Sequence, residues 1–541
     1  MSKLYAPILL LLLLAPFTEI KGDNRPSLTY TFVIHEDGLT DIVYRFSSES
    51  GGMSWFLVPK FENYTVRLLK GDINSSLKGA YTTSGEEFYF YKNFSFSYSP
   101  GTILELNWSY RYGAMIIEPN GMFYSTQIGF SPQSYCRVLV YLPSNFNVVY
   151  SSPENYYATK NSSWTLLTYG NFSNNFVRIM VTFRTNRGAS LLNYSYRGLR
   201  VEIPSRYSDI IKNITYIYEK SLPYIKNITD ADKELSITLR FSIPSDISGL
   251  GTLGYTNLKS SYDIISAGNI TLNLILLRMV PYELPQVMIH EMLHQYMWYS
   301  GLDVSLRWAH EGLADYLASY IAKRIGYPDA GREEFNSVNE LINKTGGKVG
   351  FVAGWSGGGL PINPDLYYAA SLYVIKRIGD ENGGANLYKN FFHIIKGEGV
   401  RVSDLSEFVY YLSKASGKDL KDEFKSMGFP INVEINPTGV EIKELIYARN
   451  LTSIISPINP LSFASNFYLA RAERELSTGN VDTAKEYSYI CILMDIFGLA
   501  IDVFIISVIF VAIKRIKRSG EHVFTEYSPS SPFQGDGSTS Q

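Results

Sequence analysis

Val287-Met288-Ile289-His290-Glu291-Met292-Leu293-His294-Gln295 is the stretch on which the reading of this 541-residue chain turns. Its apolar background predicts a buried helix, and residues four apart on a helix share one face. His290 and His294 can therefore point their imidazoles at one metal ion. Glu291 follows the first histidine directly. It stands beside such an ion rather than on it, where a carboxylate can take a proton from an attacking water.

Two imidazoles alone are a weak signal, and a third donor follows. Sixteen residues, 295–310, separate His294 from Glu311 in the run Trp308-Ala309-His310-Glu311-Gly312-Leu313-Ala314-Asp315-Tyr316, which predicts a second helix. Two neutral imidazoles and one carboxylate leave a fourth tetrahedral position open, the pattern of a catalytic rather than a structural zinc. Asp315 lies one turn beyond Glu311, placed to accept the free ring N–H of a ligating histidine, most simply His290. Such a bond fixes the tautomer and raises the ligand's basicity. The bland alternative for Glu311 and Asp315 is a solvated helix face, which the neighbours Leu313, Ala314 and Leu317 argue against.

Working outward, apolar and aromatic runs such as Leu28–Ile34 and Val177–Phe183 alternate with turn clusters from about Ser27 to Pro204. They read as many short strands, an all-β domain of sandwich type. The 42 tyrosines suit such pleated, half-buried surfaces. At Tyr207 the period changes to that of an amphipathic helix. Strands are expected at Leu235–Ile243 and Ile270–Leu277, and helical patterning runs from near Pro285 to Pro430. Short strands and a helical hairpin turning at Gly479-Asn480 are expected after that.

Both ends point to a membrane. The apolar run Ile8–Phe17 after Lys3 has the length of a signal-peptide core, too short to span a bilayer. Ile490–Ile513 is of spanning length, and Lys514-Arg515-Ile516-Lys517-Arg518 follows at once. Under the positive-inside rule, everything before that basic cluster faces outward. Asp495 and Asp502 fall within the span, seven residues apart on one face, and two readings stand open: both meet a basic partner helix, or Asp495 sits at the outer interface. Twelve Asn-x-Ser/Thr sequons lie between Asn63 and Asn450 and none in the tail, as in a glycosylated outer domain. With only Cys136 and Cys491 present, an internal disulfide in the outer domain is excluded. A formal net charge of −2 provides no basic field for nucleic acid.

The chain thus divides into a signal peptide (1–22), a β-sandwich domain (23–205), a mixed α/β and helical domain (206–430), a stalk (431–489), a transmembrane helix (490–513) and a cytoplasmic tail (514–541).

The motifs resemble those of the gluzincin zinc metallopeptidases, especially the aminopeptidase N-like group. His290 to Gln295 is similar to that group's His-Glu-x-x-His-Gln, and Trp308 to Ala314 to its Trp-x-x-Glu-Gly-Phe-Ala. The spacing of Glu311 and Asp315 looks more like thermolysin. Tyr367-Tyr368-Ala369-Ala370 resembles the family's Tyr-x-x-Gly helix, with Ala370 in place of glycine. Ser416-Gly417-Lys418-Asp419-Leu420 and Met427-Gly428-Phe429-Pro430 resemble the close of the helical subdomain. The likeness covers about 206–430. It implies a thermolysin-like catalytic domain, a zinc cofactor on His290, His294 and Glu311, Glu291 as general base, and Tyr367, with Tyr368 as its alternative, donating to the oxyanion. The family's Gly-x-Met-Glu-Asn strand, whose glutamate grips a free amine, has no counterpart. That favours an endopeptidase acting on peptide or protein substrates at the cell surface. The alternatives are an aminopeptidase, or a non-catalytic surface glycoprotein with a peptidase-like fold.

Overall fold

The computed structural model describes residues 25–81, 87–244, 248–256, 269–278, 282–355, 361, 363–431, 443–477 and 481–523. The expected signal peptide, the hairpin turn at 479–480 and most of the tail lie outside the described residues. These divide into two compact units. One comprises the stretches up to Pro223, Glu234–Gln295 and Ala318–Ala330; the other comprises Tyr224–Lys233, Tyr296–Leu317 and the chain from Gly331 on.

In the first unit, the alternation read from the sequence becomes a seven-stranded sheet whose centre is Ser27–Ile34, with Tyr135–Pro143 parallel on one side and Thr40–Ser48 antiparallel on the other. Every second residue points into a common core: Tyr30 and Phe32, Tyr44 and Phe46, Leu104 and Leu106, Val138 and Val140. A three-stranded sheet supplies Phe56, Phe94 and Phe96 to that core, and a four-stranded sheet supplies Phe123 and Phe183. Full burial of each such side chain stabilises by roughly 1.5–3 kcal/mol. Tyr30 satisfies its hydroxyl inside this core by donating to the Gly129 carbonyl at 2.6 Å. Cys136 is also buried and unoxidised, and burial raises its thiol far above the usual range, so it is an inert core residue.

The last strand pair, Leu191–Tyr196 and Leu199–Pro204, does not belong to these sheets. It joins a five-stranded mixed sheet with Ile237–Ser242, Asn269–Asn273 and Gly254–Thr256. Sheet membership is set here by pairing across long sequence distances rather than by local pattern. The three central strands are parallel, and Gly254–Thr256 lies antiparallel at one edge.

Eleven described helices follow, α1 (Ile211–Thr229), α2 (Glu283–Tyr299), α3 (Arg307–Arg324), α4 (Arg332–Thr345), α5 (Pro364–Glu381), α6 (Ala385–Gly397), α7 (Leu405–Ser416), α8 (Lys421–Ser426), α9 (Lys443–Ile455), α10 (Ser462–Ser477) and α11 (Val481–Val523). The N-terminal region is thus rich in sheet and the C-terminal region helical. Helix α9 stands where short strands were expected. Its Ile446-Tyr447 and Ile454-Ile455 are strand formers locally, yet Leu445 and Ala448 repeat at helical spacing and are buried.

Within the second unit, α3 and α5 cross backbone to backbone at Gly312, where a β-carbon would sit 2.5 Å from the Ser371 carbonyl oxygen. Gly312→Ala is expected to destabilise the fold by about 1–3 kcal/mol through overpacking, read as a lowered unfolding midpoint. An unchanged midpoint would show that the two helices part freely.

Helix α11 contains a stretch, Thr483–Lys514, long and apolar enough to cross a membrane. Asp495 within it is fully buried. Thr452 Oγ1 donates to one of its oxygens at 2.7 Å and Asn459 Nδ2 to the other at 2.8 Å. Asp495 thus takes its hydrogen bonds from within the chain, from α9 and the following turn. Asp502 is half-buried, and its Oδ2 meets no hydrogen-bond donor among the described residues. Asp495→Ala takes away the carboxylate acceptor of two buried donors, Thr452 Oγ1 and Asn459 Nδ2, and leaves them only their longer contacts to Cys491 Sγ at 3.3 Å and Ser465 Oγ at 3.5 Å. We expect a loss on the order of 1–3 kcal/mol, seen as a lower melting temperature of the solubilised chain.

Candidate metal centre

Helix α2 is buried on nearly all sides, with Val287 and His290 half-exposed along one strip. A helix apolar all round belongs in a core, so the polar residues on it require a reason. His290 and His294 lie one turn apart with their Nε2 atoms 2.9 Å from each other. Glu291 is buried beside them, only 5 % exposed. The edge strand Gly254–Thr256 comes close: a β-carbon on Gly254 would sit 2.9 Å from Glu291 Oε1 and 2.8 Å from Val287 Cγ1. Only a residue without a side chain leaves that carboxylate its space. Gln295 Nε2 donates to Thr256 Oγ1 at 2.8 Å, tying the same strand to the helix one turn further on.

Helix α3 is equally buried and carries its own acids. Glu311 and Asp315 are 8 % and 9 % exposed, one turn apart. Arg307, one turn before Glu311, brings Nε within 3.5 Å of its Oε1, and the guanidinium also lies over the Trp355 ring at 5.0 Å. This arginine was missed in the sequence, although its i,i+4 spacing to Glu311 was visible there. His310 turns elsewhere, its Nε2 lying 3.0 Å from the Leu302 carbonyl oxygen.

The two tyrosines of the expected pair occupy different surroundings. Tyr367 packs edge-on against Phe351 and Trp355. Tyr368 also meets Trp355. Burial pushes its phenol well above the usual value, and Glu311 and Asp315 push the same way against the opposing pull of Arg307. Tyr368 therefore keeps its proton throughout the physiological range and is available as a hydrogen-bond donor.

Ligand atoms of His290, His294 and Glu311 all lie within 4.8 Å of one another. Donors around a tetrahedral zinc at 2.0–2.1 Å stand about 3.3 Å apart. The widest of the three separations exceeds that spacing by at most about 1.5 Å. Two imidazoles and a carboxylate also suit zinc chemically, whereas an all-oxygen cage would suit calcium or magnesium. The donor set fits the ion.

No family model matches the sequence, and no curated protein does. Among solved structures, an aminopeptidase N family protein from Idiomarina loihiensis is similar over 78 % of this chain and 78 % of that one, at 13 % identity and a TM-score of 0.34. A superposition that loose carries no argument about activity.

Proposed function

We propose that this chain is a membrane-anchored zinc peptidase of the gluzincin type, hydrolysing internal peptide bonds on the outer side of a membrane. The observation that supports it most is the His290, His294 and Glu311 group, three donors of the right chemistry within 4.8 Å of one another. Those three residues would hold the zinc, and Asp315 would fix the orientation of a ligating imidazole. When bound, the ion supplies Lewis acidity, polarising a carbonyl and making water more acidic.

The remaining steps belong to the protein. Glu291 takes the proton of the attacking water and passes it to the leaving amine. The phenol of Tyr368 donates a hydrogen bond to the oxygen on which negative charge develops. We prefer it to Tyr367 because Glu311, Asp315 and Arg307 act electrostatically on Tyr368. Among the described residues the strand Gly254–Thr256 pairs only with Asn269–Asn273, and this edge beside Glu291 is where an extended peptide would add. It bears no carboxylate for a free amine, which favours cleavage within a chain. A β-sandwich followed by a thermolysin-like catalytic domain and a helical stalk is the architecture this reading implies.

Outward orientation is supported by the leader, by the basic cluster after Ile513, and by the sequons, none of whose twelve asparagines is buried. The test is elemental analysis of the purified full chain, with mass mapping of products from a peptide library containing free and blocked N-termini. About one zinc per chain and internal cuts in blocked peptides are expected. Cleavage of free peptides alone would make it an aminopeptidase, and absence of both metal and cleavage would leave a non-catalytic surface glycoprotein.

A further inference from the structure

The geometry points to a second membrane contact: the tip of the α9–α10 hairpin, carrying Ile454, Ile458 and Phe463, sits in the outer interface of the bilayer that α11 crosses. This rests on reading α11 as the membrane span. A hydrocarbon layer of about 30 Å takes about 20 helical residues at 1.5 Å each. Counting back from Lys514, where the basic cluster begins, the layer's outer edge falls near Met494. The hairpin tip is fastened at that level, because Thr452 and Asn459 both donate to Asp495.

What the tip shows at that depth suits lipid. Ile454, Ile458 and Phe463 are 73 %, 63 % and 76 % exposed, which is costly in water and favourable at an acyl boundary. From Asn450 to Ala470 the sequence has no charged residue; Arg449 and Arg471 bracket the segment. At the same level α11 itself exposes Leu493, Ile496 and Phe497.

The turn's backbone is also prepared for a place poor in water, where unpaired polar groups are expensive. Ile458 and Asn459 N–H groups donate to the Ile455 carbonyl at 3.0 and 2.9 Å. The Leu461 N–H donates to Asn459 Oδ1 at 2.8 Å. Pro457 and Pro460 have no N–H to satisfy. A hairpin wedged beside the span would hold the helical unit at a fixed height and tilt over the membrane.

The test uses the full chain in phosphatidylcholine nanodiscs with a polarity-sensitive fluorophore on Ile458→Cys or Phe463→Cys. The native Cys136 and Cys491 are buried and leave the new thiol as the reactive one. Phe504→Cys in the span and Tyr157→Cys in the first unit, both exposed side chains, are the controls. Blue-shifted emission, quenching by shallow doxyl lipids and loss of iodide quenching at both tip positions are expected. Iodide quenching at the tip equal to that at Tyr157, with Phe504 quenched by lipid, overturns the tip contact and leaves the span intact. Tip labels shielded from both quenchers would mean that protein, not lipid, covers them, which also overturns it. Iodide quenching at Phe504 would overturn the span and the tip contact together.

Discussion

Glu291→Gln is expected to lower kcat by roughly two to four orders of magnitude, the usual contribution of a positioned general base, with zinc content unchanged. The substitution is nearly isosteric, so the close approach of Gly254 to this side chain is preserved and the strand need not move. The amide retains an acceptor oxygen but cannot take up a proton at neutral pH. The donors proposed for zinc belong to His290, His294 and Glu311, none of which is altered. Measuring kcat on a casein-type substrate alongside bound zinc separates the two effects. Wild-type turnover by this variant would remove Glu291 from the mechanism. Loss of zinc together with activity would mean that the carboxylate supports the metal rather than the proton transfer.

The contrast between buried helices and their few polar residues explains why this region was legible in the sequence. His290, Glu291, His294, Glu311 and Asp315 interrupt runs that are otherwise apolar, and the fixed 3.6-residue period says which of them share a face. Strand alternation worked for the same reason: Ser27–Ile34 and Thr40–Ser48 bury every second residue, and a period of two is local information. Long-range pairing is not local. Nothing between Leu191 and Pro204 announces that this hairpin joins the mixed sheet, and nothing near Asp495 announces Thr452 or Asn459. The change from polar to apolar composition near 489 suggested a stalk and a separate span, yet α11 runs unbroken from Val481 to Val523. A helix is interrupted by proline, glycine or lost hydrogen bonds rather than by a change of surroundings.

Tyr368→Phe is expected to reduce kcat by about 10²–10³-fold with little change in KM, as removal of one oxyanion donor does, whereas Tyr367→Phe should stay close to wild type. The two residues are neighbours on α5, so a general weakening of that helix would affect both variants alike. Their surroundings differ. Tyr367 offers its ring to Phe351 and Trp355, contacts that phenylalanine keeps. Tyr368 shares a hydrogen bond with Arg307 and lies in the field of Glu311 and Asp315, and its part in both is played by the hydroxyl. Because the same environment raises the phenol's pKa, Tyr368 stays neutral and able to donate, so its loss should leave the alkaline limb of the rate profile in place while lowering the whole curve. A selective fall in Tyr367→Phe would instead assign the donor to Tyr367. Equal falls in both would point to the stability of α5, and the unfolding midpoints of the two variants would then drop together.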